Sequence, residues 1–309
     1  MKKSFLNNLS RRGLMQLVGA GSLSLASSNV NATDKQTTVN VPKKTWSIDD
    51  LTPEQRAHAE KMLALIEQRE QFFLETVEKF NGNRDVETRH WDDDKATSKV
   101  SVARGEVLEK AAFYTNTTKK ANPPYLPEAI WDRYFELDFH PRTPLLGQLH
   151  ATMYVTYLAN GTSAVAGYMD YTPGTWIDED VAYLKKIVDD HFNANGHDVE
   201  RYRRMLYQPY HRDKLKAACV GAAFYVRPML EVNNVNVQFV QEAHEKFVNG
   251  YLDILERRKD EPYTEADLEN QAGMRKRWLE DHLFSDPFTM YVVPYEVWSF
   301  ADAPPTVHF

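Results

Sequence analysis

The sequence predicts an α+β domain in which a large antiparallel sheet is flanked by helices. Residues 134–140 alternate apolar and polar side chains, and residues 149–158 are rich in β-branched and aromatic residues, as strands are. Asn160 and Gly161 give a hairpin signal before a further strand at 164–171. Helical patterns precede and follow this central part, and the sequence contains no internal repeat.

The first helix is predicted to begin at Thr52 and to extend to about Phe80. Proline follows Thr52 at the first helical position, and Gln55 stands at the capping-box position. Further helices are predicted at 178–196, 198–207, 235–258 and 265–271. Strands are predicted at 217–226, 278–284 and 289–297, whereas the polar, acidic residues 84–100 predict a loop.

Composition excludes some partners. The chain has 309 residues, 42% hydrophobic and 26% charged, which is typical of a soluble globular protein. Its net charge is -7 although the first 32 residues carry only basic charges, so the remainder is more acidic still. An acidic surface repels phosphate groups, which argues against nucleic-acid partners and anionic membrane surfaces.

The single cysteine, Cys219, excludes an intrachain disulfide, and its apolar neighbours predict a buried, inert thiol rather than a nucleophile.

Residues 1–32 predict an export signal, followed by a flexible lead-in at 33–48 and one domain at 49–309. The signal has a basic start, a weakly apolar region too short to span a bilayer, and a small-residue cleavage site ending at Ala32. Arg11 and Arg12 lie in a pattern that resembles the twin-arginine export motif. A generic secretory signal or a basic tail is the alternative. We therefore expect a periplasmic protein with no membrane span after signal removal.

Several fragments between residues 105 and 309 are collinear with the motifs of a known family. The stretch from His140 to Pro144, followed by His150, resembles a His-Pro-x-Asn-Pro…His signature. The stretch beginning at Asp170, with three acids at 178–180, is similar to Asp-Leu-Thr-Pro…Glu-Glu-Asp. Residues 256–263 and the Pro-Pro-Thr-Val tail match further segments in order. These motifs resemble those of the oxygen-dependent coproporphyrinogen III oxidase family.

The resemblance implies a flat antiparallel sheet of about seven strands flanked by helices. It also implies a homodimer, with the helix at 235–258 and the strands after it supplying the contact. Members of the family use O₂ to decarboxylate propionates of coproporphyrinogen III to vinyl groups, and they require no redox cofactor.

Some functional positions of the family are retained. His150 matches the position assigned as proton donor, and imidazole exchanges protons near neutral pH. His140, His150 and His211 match positions treated as metal ligands, so a divalent metal ion is a further hypothesis, although Lys185 occupies the fourth such position. Asp170 is predicted to accept N–H bonds from a pyrrole ring. The structural alternatives are histidines that hold strand ends by hydrogen bonds and an aspartate that caps a turn.

Other positions are changed. The paired aspartates that face the macrocycle nitrogens become Val226 and Arg227, and two propionate-binding arginines become Tyr154 and Tyr295. Arginine binds carboxylates bidentately, so tyrosine in its place changes what is bound. The predicted substrate-binding residues are Arg142, Tyr154, Tyr225, Arg227 and Tyr295.

Three functions follow as hypotheses. The first is an O₂-dependent oxidation or decarboxylation of a porphyrinogen or a related flat ring. The second is a non-catalytic protein that binds a tetrapyrrole or another aromatic ligand. The third is a metal-dependent oxidase that uses the histidines named above.

Overall fold

The structure is a computed structural model that describes residues 47–94, 96–119, 129–207, 222–223, 230–285 and 295–305, without the side chains of 205–207, 222–223 and 281–285. The predicted signal at 1–32 and Cys219 therefore lie outside the described residues. Within them, no helix is long and apolar enough to cross a membrane.

The predicted antiparallel sheet is confirmed. Its strands are β1 Val86–Asp92, β2 Ala96–Ala103, β3 Leu108–Thr118, β4 Ala129–Pro141, β5 Gln148–Leu158, β6 Ser163–Ala166, β7 Tyr168–Thr172 and β8 Ala222–Ala223. They are ordered β1-β2-β3-β4-β5-β7-β8, and β6 also pairs with β5. The described sheet is therefore seven positions wide, as the resemblance implies.

Six helices accompany the sheet in the described ranges: α1 Pro53–Asn81, α2 Asp178–Ala194, α3 Val199–Tyr207, α4 Asn234–Arg258, α5 Glu265–Ser285 and α6 Tyr295–Ala301. The capping box predicted for α1 is present, because the Gln55 amide donates to Thr52 Oγ1 at 3.3 Å and the Thr52 amide to Gln55 Oε1 at 3.0 Å. Gly82 ends α1 in the left-handed conformation, with φ of 76°.

One face of the sheet carries the main apolar core. Phe113 on β3 packs against Phe73 of α1, with ring centroids 6.0 Å apart, and Phe135 on β4 extends the cluster. Phe247 of α4 is buried in the same core. α1 and α4 therefore cover this face of the central strands.

The opposite face is covered in part by α5 and α6. Trp278 of α5 and Trp298 of α6 are buried against Val100 and Tyr114 on strands β2 and β3. This second cluster is much smaller than the first, and it leaves most of the face over β4, β5 and β7 to polar side chains.

The strand predicted at 164–171 is interrupted at Gly167 and forms β6 and β7. A Cβ atom at Gly167 would lie 2.1 Å from the Thr152 carbonyl oxygen, so the two backbones approach more closely than any side chain allows. The Tyr168 amide donates to Thr152 Oγ1 at 2.9 Å, which replaces a ladder bond at the interruption.

Three secondary-structure predictions are wrong. Residues 84–100 contain β1 and the start of β2 rather than a loop. The prediction failed because β1 is an edge strand exposed on both faces, so its sequence shows no alternation of apolar residues. Residues 278–284 lie in α5, in which residues 271, 274, 275 and 278 are buried at helical spacing. In the strand predicted at 289–297, the described residues 295–297 belong to α6. The strands expected to follow 235–258 at a dimer contact are thus helices wherever they are described.

Candidate functional site

The face of the sheet opposite the main core is lined with buried polar groups on β4. Phe135, Leu137 and Phe139 point into the apolar core, so the alternate residues point to the other side. Glu136 is 2% exposed and Asp138 only 1%. Carboxylates are rarely buried unless they are paired or hold a ligand, so this face is a candidate site.

Neighbouring strands continue this polar surface. His150 on β5 lies opposite Asp138 on β4 and opposite Asp170 on β7, so three ionisable groups form one row across three strands. We call this surface the polar sheet face. The following residues, whose side chains point away from the main core, define it: Lys110, Tyr114, Tyr134, Glu136, Asp138, His140, Gln148, His150, Thr152, Tyr154, Tyr168 and Asp170.

Two histidines meet one carboxylate in this row. His140 Nε2 lies 2.9 Å from Asp138 Oδ2, and His150 Nε2 lies 3.3 Å from Asp138 Oδ1. Burial lowers the pKa of His140 well below its usual range, and the charges of Lys110 and Arg275 lower it further. His140 is therefore a neutral imidazole near neutral pH and a weaker base than a solvent-exposed histidine.

Lys110 brings a positive charge to the same end of the face. It lies opposite His140 in the β3–β4 pairing, it is 1% exposed, and its Nζ donates to the Ala303 carbonyl at 2.6 Å. Burial lowers its pKa to about 8, although the nearby Asp138 opposes that shift. Lys110 thus ties the end of the chain beyond α6 to the polar sheet face.

Trp278 covers His150. The two rings are parallel within 3°, with centroids 4.7 Å apart, and Trp298 stacks on the far side of Trp278 at 5.9 Å. The indole fixes the plane of the imidazole and keeps water from one of its faces.

The other end of the face is rich in tyrosine. Both Tyr134 and Tyr168 donate their hydroxyls to Glu136, the latter at 2.8 Å. Tyr154 lies opposite Tyr134, and the rings of Tyr114 and Tyr134 meet edge to face at 5.3 Å. Tyr134, Tyr154 and Tyr168 remain partly exposed, so this end is the more open part of the face.

The predicted site residues divide into three groups. His140, His150, Asp170 and Tyr154 come together on the polar sheet face. Arg142 and Tyr295 lie elsewhere. The remaining predicted residues, His211, Tyr225 and Arg227, lie outside the described residues.

Arg142 does not point toward the ionisable row. Its guanidinium donates to the carbonyls of Gly105 and Glu106 at 2.9 and 3.0 Å, and its side chain is 47% exposed. Tyr295 is 59% exposed and lines an open surface groove beside Trp91 and Phe300. Neither residue belongs to the polar sheet face.

The donor atoms fit a divalent metal ion. One ligand atom from each of Asp138, His140 and His150 lies within 4.8 Å of the other two. The metal hypothesis requires His140, His150 and His211 to converge on one point. His140 and His150 both lie beside Asp138, whereas His211 lies outside the described residues, so the hypothesis stays a prediction. Imidazole and carboxylate together suit first-row transition metals.

Sequence reasoning missed Glu136, Asp138, Lys110 and Trp278. The alternation at 134–140 placed Glu136 and Asp138 on the same face as His140, and this was the available signal. Trp278 had no such signal, because its partner His150 is distant in the sequence and its segment was predicted as a strand.

A protein-family model described as coproporphyrinogen III oxidase matches residues 61–296. The match spans every described strand and therefore the whole polar sheet face.

Proposed function

Because the chain belongs to the coproporphyrinogen III oxidase family, we propose that it oxidises a porphyrinogen, or a related flat ring, with O₂ on the polar sheet face. The observation that carries the proposal is the buried row of Asp138, His150 and Asp170 across three strands. A flat array of acceptors and proton-exchanging groups suits a flat ligand whose ring carries N–H donors.

We assign roles from chemistry. Forming one vinyl group from one propionate carboxylate breaks the bond to CO₂, removes two electrons and releases one proton. O₂ takes up the two electrons and two protons to become H₂O₂, so one further proton must be transferred to it. His150 is the group we expect to transfer that proton, because its imidazole is held between Asp138 and the Trp278 ring. Asp170 accepts ring N–H bonds.

Charge argues for a substrate with fewer carboxylates than coproporphyrinogen III. Among the described residues of the polar sheet face, three are acidic, Glu136, Asp138 and Asp170, and one is basic, Lys110. Tyr154 replaces an arginine, and burial raises the pKa of its hydroxyl, so it remains a neutral donor. A neutral hydrogen bond is roughly half as strong as a charge-assisted one.

The test is an aerobic assay with coproporphyrinogen III and with protoporphyrinogen IX, a related ring that bears fewer carboxylates. We expect turnover of coproporphyrinogen III below about 10⁻¹ s⁻¹ and faster oxidation of the less anionic ring. Both rates are measured from the fluorescence of the oxidised product. Reactions without protein and without O₂ are the controls for spontaneous oxidation. Protoporphyrin formed from coproporphyrinogen III at about 10⁻¹ s⁻¹ or faster would contradict the proposed preference.

The proposal includes export and self-association. The basic residues at the start of the chain support a periplasmic location by the twin-arginine pathway. The resemblance around 256–286 supports a homodimer with a two-fold interface. Binding of a tetrapyrrole without turnover is the alternative, and the same assay separates the two.

A further inference from the structure

We propose that the tyrosine end of the polar sheet face is a binding subsite for a protonated amine, specifically a primary alkylammonium group. Glu136 and four tyrosines define the tyrosine end: Tyr114, Tyr134, Tyr154 and Tyr168. The subsite deepens the proposed function, because it would select a ring that carries an amine where coproporphyrinogen III carries a propionate. That choice of substrate rests on the proposed function, whereas the binding of the amine rests on the site alone.

Glu136 lies at the centre of this group. In the strand pairing it is opposite Tyr114 on β3, and Tyr134 stands two residues before it on the same face of β4. Tyr168 comes from β7, and its hydroxyl donates to Glu136 at 2.8 Å. Tyrosine side chains from three strands therefore surround a carboxylate that is 2% exposed.

The hydrogen bonds at this end leave acceptors for a ligand. Tyr134 and Tyr168 both donate their hydroxyl protons to Glu136. A hydroxyl has one proton and two lone pairs, so an incoming group meets the lone pairs of these two oxygens. A carboxylate ligand offers only acceptors and finds no donor in them, whereas a primary ammonium offers three N–H donors and no acceptor.

Asn116 supplies a second, independent observation. It lies opposite Tyr134 in the β3–β4 pairing, so it shares the same face, and it is 5% exposed. Its side-chain oxygen Oδ1 is buried and has no hydrogen-bond partner in the part of the chain that the structure describes. A buried oxygen of this kind calls for a donor from a ligand or from ordered water. An N–H group of the ammonium would supply that donor beside Tyr134.

The charges around this end favour a cation. Burial raises the pKa values of Tyr114, Tyr134 and Tyr154, and the nearby charges that raise them further are negative. Those charges are the carboxylates of Asp132, Glu136 and Asp302. Lys110, the one base of the described polar sheet face, lies at the other end of the face and donates to a carbonyl of the final segment. A cation at the tyrosine end is therefore attracted by the surrounding field.

The open side of the subsite is aromatic. Tyr134, Tyr154 and Tyr168 are partly exposed, and Tyr154 lies opposite Tyr134 on the neighbouring strand. The rings of Tyr114 and Tyr134 meet edge to face with centroids 5.3 Å apart. Aromatic faces attract cations, and groups of aromatic rings recognise ammonium ligands. The partly exposed rings thus give an amine an approach to the buried carboxylate.

The test is a calorimetric titration of the full protein near neutral pH with three probes of similar size: 3-phenylpropylamine, 3-phenylpropanol and 3-phenylpropanoate. We expect the amine to bind about tenfold more tightly than either of the others, since a hydrogen bond to a charged group is stronger than a neutral one. In Glu136→Gln the affinity for the amine should fall about tenfold, whereas the affinity for the alcohol should change less than about threefold.

Glu70→Gln is the matched control for Glu136→Gln. Glu70 belongs to α1, which covers the opposite face of the sheet, and it pairs with Lys99 at 2.5 Å. The two substitutions change the net charge equally, but Glu70→Gln should leave the binding of all three probes unchanged. Equal loss of amine binding in the two variants would overturn the subsite, because net charge alone would then account for the affinity.

Tyr154→Arg extends the test to the case in which Glu136→Gln fails to fold. Tyr154 is partly exposed, and the substitution restores the arginine that the family resemblance places at this position. We expect amine binding to weaken about tenfold and binding of the propanoate to strengthen about tenfold, since arginine binds carboxylates through charge-assisted bonds. An unchanged preference for the amine in this variant would contradict the place given to the subsite.

Two results with the wild-type protein alone would overturn the inference. They are tighter binding of the propanoate than of the amine, and no binding of the amine to folded protein, which would leave ordered water as the partner of Asn116. Turnover of a porphyrinogen by a protein that prefers the propanoate would defeat this inference and leave the proposed function standing.

Discussion

Replacing His150 by glutamine is expected to lower kcat by about 10²–10⁴-fold on the porphyrinogen that the wild-type protein oxidises, the usual range for loss of a general acid or base. Glutamine retains a polar side chain of similar reach but cannot exchange a proton near neutral pH. The measurement is a comparison of initial rates at saturating substrate, with equal folded protein confirmed by circular dichroism.

His244→Gln is the matched control for that experiment. His244 is also a buried imidazole, but it lies in the core on the opposite face, where its ring meets Phe135 and its Nε2 contacts the Ala151 carbonyl at 3.3 Å. We expect its kcat to stay within about threefold of wild type. Retention of kcat by His150→Gln would remove His150 from the chemistry.

Replacing Asp180 by alanine is expected to lower the free energy of unfolding by about 3–5 kcal/mol, the range for breaking a buried ion pair. Asp180, at the start of α2, is fully buried and accepts from Arg258 Nε at 2.9 Å and from Arg257 at 3.4 Å. Arg258 is itself only 11% exposed at the end of α4. Removal of the Asp180 carboxylate leaves the poorly hydrated guanidinium of Arg258 with less negative charge to balance its positive charge.

Urea denaturation measures this loss, and Glu179→Gln is its control. Glu179 also pairs with Arg258, but it is 68% exposed, so its loss should cost no more than about 1 kcal/mol. Equal effects of the two substitutions would show that burial does not govern this ion-pair cluster. Asp180 and Arg258 lie in two of the segments that resemble motifs of the family. Their buried ion pair gives a structural reason for the presence of those motifs.

The central strands and the long helices could be predicted from the sequence because each carries its own periodicity. Residues 134–140 alternate, and the capping box at Thr52 is local. Strand β1 could not be found in this way, since its residues are exposed on both faces and its stability comes from pairing with β2. The start of α5 was predicted as a short helix at 265–271, but its second half was mistaken for a strand at 278–284, because polar Gln271 and Arg275 interrupt the buried stripe of the helix.

The residues of the candidate site that lie in family motifs could be predicted from the sequence. Those whose place in the site depends on contacts across strands could not. His140, His150 and Asp170 were found through the resemblance. Asp138 becomes a candidate ligand only when β4 and β5 are in register, which no local pattern fixes. Arg142 follows His140 closely in sequence, yet the turn after β4 directs its side chain to the carbonyls of 105 and 106.

The absorbance spectrum of the purified protein tests most directly the central claim that the polar sheet face binds a tetrapyrrole ring. The protein is measured as isolated and again after incubation with protoporphyrin IX and gel filtration. We predict a Soret-type band that elutes with the protein at about one ring per chain, because the partly exposed Tyr134, Tyr154 and Tyr168 flank the buried acids. A protein fraction without a Soret-type band in both measurements would contradict the claim.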